Sequence, residues 1–375
     1  GEYSYSDLFK IEPIKLKLTK ENLEKDGKIP VYSSISDNNG IMGYTQILPT
    51  YVISEETPFY IVFGDHTRSF NIVNTDFCVM DNVKILKPLQ NYTLRELIFI
   101  ISSWKNGIVD KGYSRHWSIA KEVKIQLPTK DGKIDFEFMD ACIRELEEER
   151  IRELSAYLTV SGLDNYKLSS EEKEALDKFD SPLGEKLQNV QWGECRIGDL
   201  FEKLNLKFKK STFNKATDIS KTRTSEFNIP LINAKFGDNG IMYYGRKNDF
   251  ETASMTIDIV NDGAISTASV YPQPQETGVL YNAYLIKPLF DINNHILYFL
   301  STTIQKSIKE KFGYENKAGW EKVKKEFIQL PTKDGKIDFE FMELLISAVQ
   351  KLVIKDVVLY ANEKIQSTKK IVKEN

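Results

Sequence analysis

The sequence predicts an α+β fold: two strand-rich globules in tandem pseudo-twofold repeat, joined by two long helices packed as an antiparallel coiled coil. Three observations carry this. The segment IQLPTKDGKIDFEFM stands at Ile125 to Met139 and again, letter for letter, at Ile328 to Met342. Before each copy lies a stretch of about 120 residues with β-branched and aromatic runs broken by turn signals. After each copy the apolar residues fall three and four apart, the period of a helix face.

The duplication comes first because it fixes the rest. Weaker echoes keep an offset of about 200 along the chain. IPVYSSISDNNGIMGY (Ile29 to Tyr44) answers IPLINAKFGDNGIMYY (Ile229 to Tyr244), and Lys87-Pro88-Leu89 answers Lys287-Pro288-Leu289. Gly112-Tyr113 likewise answers Gly313-Tyr314, and Asp7-Leu8-Phe9 answers Asp199-Leu200-Phe201. Within the globules, Phe59 to Phe63 and Met255 to Val260 read as strands, and Asn39-Gly40, Gly64-Asp65, Asp238-Asn239-Gly240 and Asn261-Asp262-Gly263 as turns.

In the shared segment, Pro128 and Pro331 are expected to stop the preceding strand, with Asp-Gly turns after them. Asp135 and Asp338 are suited to cap the helices that follow. In the first helix Met139, Cys142 and Leu146, then Ile151, Leu154 and Leu158, fall three and four apart. Running from about Phe136 to Leu158, ~23 residues at ~1.5 Å each, it spans ~35 Å. The second carries Met342, Leu345, Val349 and Leu352, then Val357, Tyr360 and Ala361, and runs toward Lys370. Each stripe needs a partner. The simplest is the other helix, antiparallel, as a spacer; the alternative is that each helix covers its own globule. Between the copies, Ser169 and Glu172 have capping-box spacing and start a short acidic helix. The expected organisation is a first globule at 1–135, a central spacer helix at 136–160, an acidic linker with a short helix at 161–190, a second globule at 191–338 and a C-terminal spacer helix at 339–375.

Composition excludes several function classes. At 375 residues, with 41% hydrophobic and 28% charged, the chain has the length and balance of a two-domain soluble protein. No apolar run approaches the ~18 to 20 residues of a membrane span, and the opening GEYSYSDLF has no signal pattern, so a cytoplasmic location away from membranes is expected. Cys78, Cys142 and Cys195 form no CxxC pair and read as reduced packing residues. The net charge of −3 is unevenly spread. Residues 136–190 hold 7 basic and 14 acidic side chains, whereas 191–338 hold 21 basic and 18 acidic. Two neutral-to-basic globules are thus left free to meet a polyanion. A catalyst acting on DNA needs a cofactor or metal site. The sequence has no Gly-rich nucleotide fingerprint, phosphate loop, HExxH or Asn/Asp-Pro-Pro-aromatic tetrapeptide, and only His66, His116 and His295 as histidines. No catalytic residue, metal ligand or cofactor is expected. The sequence reads as a binder.

Two globules that each end in an LP-x-x-DGKIDFEFM element leading into a spacer helix resemble the specificity (S) subunit of type I restriction-modification systems. The resemblance covers essentially the whole chain. Where that family has a second proline, this chain has Thr129 and Thr332, which points toward its type IIB/IIG-like branch. FGDHTRSF (Phe63 to Phe70) and GYSRHW (Gly112 to Trp117) match the family's recognition-domain pattern; the second copy departs from both, with VNDGAISTAS and GYENKAGW. The resemblance implies a non-catalytic subunit that reads a bipartite, asymmetric double-stranded DNA target, with the helices setting the gap. Its implied partners are adenine methyltransferase (M) subunits, two of them, and a restriction (R) subunit.

Candidate DNA contacts follow. His66, Thr67 and Arg68 place donors beside a turn, and Arg115 and His116 add more; guanidinium pairs bidentately with guanine or grips phosphate. The structural alternative is an Asp65–Arg68 ion pair that merely holds the loop. In the second globule Lys207, Lys209, Lys210, Lys215, Lys221 and Arg223 form a basic run interleaved with Phe208 and Phe213, suited to phosphates or else to plain solvation. Asn38, Asn39, Asn239, Tyr243, Arg246 and Lys247 sit at matching turns, where Asn and Gly also serve turn geometry. Two other readings compete: a C-terminal specificity region cut from a fused type IIG restriction-methyltransferase, and a helical scaffold that does not bind DNA.

Overall fold

The computed structural model describes residues 1–112, 114–179 and 190–374, and side chains as far as 367. Tyr113 of the GYSRHW stretch, 180–189 of the expected linker and the Lys370 side chain lie outside the described residues. The chain divides into two compact units: unit 1, Gly1–Ala156 with Glu363–Asn375, and unit 2, Tyr157–Asn362.

Unit 1 runs β1 (Glu2–Tyr3), β2 (Phe9–Glu12), β3 (Ile29–Tyr32), β4 (Ile41–Thr45), β5 (Tyr60–Gly64), β6 (Ser69–Val73), β7 (Cys78–Val79), β8 (Val83–Pro88), α1 (Leu94–Gly107), α2 (Trp117–Ala120), β9 (Ile125–Gln126), β10 (Thr129–Lys130), β11 (Lys133–Ile134) and α3 (Phe136–Val160). Its main sheet has the order β2-β8-β5-β6, and a smaller one the order β4-β3-β7. The run Tyr60 to Phe63 is apolar throughout because both faces of β5 are buried. Ile61 and Phe63 pack with Leu97, Ile100 and Trp104 of α1, and Val62 packs with Tyr32 and Val79 of the smaller sheet and with Phe77 just before β7. Thr93 and Glu96 close α1 with a capping box.

The chain continues with α4 (Ser170–Phe179), β12 (Gln191–Arg196), α5 (Ile197–Leu200), β13 (Phe201–Lys203), α6 (Lys215–Asp218), β14 (Ile219–Ser220), β15 (Ile229–Ile232), β16 (Ile241–Gly245), β17 (Thr256–Val260), β18 (Val270–Gln273), β19 (Gly278–Val279), β20 (Ala283–Pro288), α7 (Asn294–Ile308), α8 (Trp320–Val323), β21 (Phe327–Lys333), β22 (Lys336–Ile337) and α9 (Phe339–Glu374). The sheets β13-β20-β17-β18 and β14-β16-β15-β19 repeat the plan of unit 1. Both units even share a register shift at Val31/Tyr32 and Leu231/Ile232.

The identical segments behave alike from their turns onward. Asp131-Gly132 and Asp334-Gly335 all have positive φ, the geometry of a two-residue hairpin. The Asp135 and Asp338 carboxylates accept from Phe138 and Phe341 N–H at 2.9 and 3.0 Å, capping α3 and α9. Met139 and Met342, both 0% exposed, root those helices in the cores of their own units. Upstream the segments differ. In unit 1 the strand breaks around Pro128, as expected. In unit 2, β21 runs straight through Pro331, which faces Trp192 of β12. The cause is the partner: β12 pairs along six residues, whereas β1 pairs with β9 along two.

The Ser169–Glu172 capping box forms in both directions, at 2.7 and 3.1 Å. Glu172 also accepts from Ser347 Oγ at 2.7 Å and Lys351 Nζ at 2.9 Å, which docks α4 on α9 within unit 2. Among the described residues no helix is long and apolar enough to cross a membrane, and no cluster of three or more His, Cys, Asp or Glu could hold a metal ion.

Candidate nucleic-acid interface

In unit 1 three loops converge at one end of the main sheet: the β5–β6 hairpin, the loop after β3, and the segment between α1 and α2. Asp65 is the hub. Its N–H donates to Asn82 O, and its own carbonyl accepts from the His116 backbone at 2.9 Å. Its Oδ1 accepts from Trp117 N–H at 2.7 Å. Asp65 therefore never meets Arg68. Arg68, at φ 54°, turns instead to the far segment, donating to Ile108 O at 2.8 Å and to Asp110 Oδ2 at 2.6 Å. A backbone hydrogen bond from Gly112, followed by the Arg68 charge, holds the Asp110 carboxyl below its ordinary range.

His116 is fully buried. Its Nδ1 lies 3.0 Å from Asp65 O and its Nε2 accepts from Lys111 N–H at 3.2 Å, so both ring nitrogens are used inside the loop cluster. The histidine expected to face DNA is instead an internal strut of the loop cluster. His66 and Thr67 are half-buried at the hairpin tip, with His66 N–H on Ser34 Oγ at 2.9 Å and Thr67 Oγ1 on Ser69 Oγ at 2.7 Å. Arg115 is exposed.

In unit 2 the expected residues lie elsewhere, on the β14-β16-β15-β19 sheet and its flank. Lys210 bridges Asp249 at 2.7 Å and Asp218 at 3.3 Å, and Arg246 bonds Glu226 at 2.6 Å and Asp249 at 3.3 Å while lying 4.2 Å from the Phe227 ring centre. These two cations neutralise buried Asp218 and Asp249, and the hydrogen bonds raise both of their pKa values. Lys215 lies over the Tyr243 ring at 5.2 Å, and Lys247 pairs with Glu276 at 2.8 Å. Lys207, Lys209, Lys221 and Arg223 are exposed. Asn239, at φ 54°, serves the turn: its Nδ2 donates to Pro272 O at 2.8 Å. Asn38 and Asn39 hold the same left-handed turn in unit 1.

The counterpart of the unit 1 tip is the β17–β18 hairpin, whose VNDGAISTAS stretch the sequence marks as a turn and a departure from the first copy, without a candidate contact in it. The scaffold is the same: Asn261 N–H donates to Asn282 O and its carbonyl accepts from Ala318 N–H, as Asp65 does with Asn82 and His116. The tip differs. Nine residues, 261–269, replace the four at 65–68, and Lys309 supports them, donating to Ile265 O, Thr267 O and Ser269 Oγ at 3.0, 2.9 and 3.2 Å.

The type I restriction modification DNA specificity domain matches residues 2–156 and again 189–359. The chain is 21% identical over 300 residues to the specificity subunit S.BcgI of a type II restriction enzyme from Heyndrickxia coagulans, covering 78% of each protein. Its fold resembles the S subunit of a type I restriction-modification system from M. genitalium, with TM-score 0.55 and 16% identity, covering 99% of this chain and 93% of that one.

Proposed function

The chain belongs to the type I restriction modification DNA specificity domain family, and from that premise we propose that it reads double-stranded DNA inside the cell as a non-catalytic specificity subunit. Each unit reads one half of a bipartite, asymmetric target. The chain directs adenine methyltransferase subunits, two of them, and a restriction subunit to that target, and the spacer helices set the gap. The observation that carries the reading is one scaffold with two different tips. Asp65 and Asn261 make the same backbone bonds, yet the side chains presented above them share no pattern.

The experiment is an exchange of Ile197 to Glu326 for the matching region of another family member. Its ends meet in space, since Ile197 N–H donates to Glu326 O at 2.9 Å. The segment thus enters and leaves the unit at one point, and β12 and β21 stay paired behind it. Base readout resides in side chains of the exchanged region, so one half of the methylated target should change and the other stay. A chimera that changes both halves, or neither, would refute the reading. Loss of all salt-dependent DNA binding by the native chain with its partners would favour the scaffold alternative.

A further inference from the structure

The tip of unit 2 presents what the tip of unit 1 does not: two large apolar side chains in solvent. Phe236, in the loop after β15, is 67% exposed, and Ile265, in the β17–β18 hairpin, is 82% exposed. The loops that carry them meet at one side chain. Lys309 Nζ lies 6.0 Å from the Phe236 ring centre and 3.0 Å from the Ile265 carbonyl, so two loops meet over one ammonium. Both loops are also held in place. All three Lys309 donors have acceptors in the hairpin, and Gly237 N–H donates to Tyr271 OH at 2.9 Å, fixing the loop that carries Phe236. At the rim, Lys235 and Lys317 pair with Asp238 and Asp262, surface pairs that contribute little and so cost little to break. In unit 1 the corresponding positions are polar: Ser36 stands where the loop carries Phe236, and His66 and Thr67 fill the hairpin.

We propose that Phe236 and Ile265 read thymine methyl groups in the major groove of the second half-site. This rests on the DNA-reading assignment above and deepens it. The two halves are then read by different chemistry, donors and acceptors in unit 1 and apolar contact in unit 2. An exposed apolar pair of this size is costly to leave in water. The 5-methyl of thymine is the apolar feature a base pair offers in the major groove, and Phe is among the residues that contact it. The flanking lysines match the sign of the backbone.

The test selects from a pool of random duplexes with the full chain and the methyltransferase that co-purifies with it. Wild type, Phe236→Ala, Ile265→Ala and Phe236→Leu are compared, and the selection is repeated with deoxyuridine in place of thymidine. Both side chains are exposed, so the variants should fold as the wild type does. The expected result is a bipartite site in which the alanine variants and the uracil pool lose preference at the same A·T positions of one half. Each lost methyl contact weakens binding by about fourfold, and Phe236→Leu retains most of the preference. If wild type selects a bipartite site and the alanine variants select it unchanged, this inference fails while the DNA-reading assignment stands. If wild type selects no sequence, the assignment itself fails. A rise in 2-aminopurine fluorescence at those positions on binding would mean an unstacking wedge and would overturn the methyl contact.

Discussion

Replacing Glu172 by Ala should undock α4 from α9. Glu172 is 4% exposed, and its carboxylate serves both ends of the contact. It accepts from Ser169 N–H at 2.7 Å at the start of α4, and from Ser347 Oγ and Lys351 Nζ on α9 at 2.7 and 2.9 Å. Removing it leaves the Lys351 ammonium, 19% exposed, without its partner. It also deletes one arm of the capping box. Breaking a buried pair and losing a cap together cost about 2 to 4 kcal/mol here, since Lys351 can still reach water. At ~1.4 kcal/mol per tenfold, amide protection across Ser170–Phe179 should fall by about 30- to 700-fold in hydrogen exchange. Glu172→Gln keeps the length and the capping box but loses the charge, so it should cost about 1 to 2 kcal/mol. The pH dependence has a definite sign. Burial pushes the Glu172 carboxyl up, but hydrogen bonds from Lys351, Ser347 and the Ser169 backbone outweigh it, so its pKa lies below the ordinary 4.5. A depressed folded pKa means docking is strongest above 4.5 and is lost as the pH drops through the lower, folded value. Unchanged protection in Glu172→Ala, or a loss in Glu172→Gln as large as in Glu172→Ala, would refute this reasoning.

Three further outcomes can be checked. Lys210→Met should lower the urea midpoint of unit 2 because Asp218 and Asp249 lose a shared cation, yet leave the salt slope of DNA binding unchanged; a slope shallower by about one would make Lys210 a phosphate contact. Asp258→Val should stabilise unit 2 by about 2 kcal/mol near neutral pH: Asp258 is fully buried with neither oxygen hydrogen-bonded, burial raises its pKa, and Val62 fills that place in unit 1. Because a raised folded pKa makes Asp258 least unfavourable in acid, the gain should shrink as pH falls, and a gain that grows in acid would contradict it. Inserting four residues after Leu146 adds ~6 Å of helix, or about two base pairs of rise, so the gap between half-sites should widen by that amount, read by methylation mapping; an unchanged gap would mean α3 is not the spacer.

The duplication was legible because its fifteen shared letters are identical, and the helix starts at Asp135 and Asp338 and the Ser169–Glu172 box because each depends on residues a few positions apart. What failed to show in the sequence was set by distant partners. Pro331 stays inside a strand because β12 lies beside it, a fact that the fifteen shared letters cannot contain. Arg68 stands three residues from Asp65, which made their pairing attractive, but its positive φ aims it at Asp110, forty-two positions away. His116 looked like a ligand-facing donor and is an internal strut. In the second unit a run of lysines drew attention by composition, and two acidic side chains brought in by the fold absorb part of its charge. The β17–β18 tip, with little charge of its own, shows in the sequence only as a turn at Asn261-Asp262-Gly263 and a departure from the first copy, with no donor pattern to mark it as a contact.

Two identical segments in one chain also pose a problem of self-recognition while the protein folds. The edge that β12 offers to β21 would fit the first copy of the segment letter for letter, and β1 would fit the second. Synthesis from the N-terminus settles the matter in order, since Ile125 can close on Glu2–Tyr3 long before the second copy leaves the ribosome. A chain released all at once from denaturant has no such order. Crossed strands trapped between the halves are the expected by-product of its refolding, and they should be fewer when folding is vectorial.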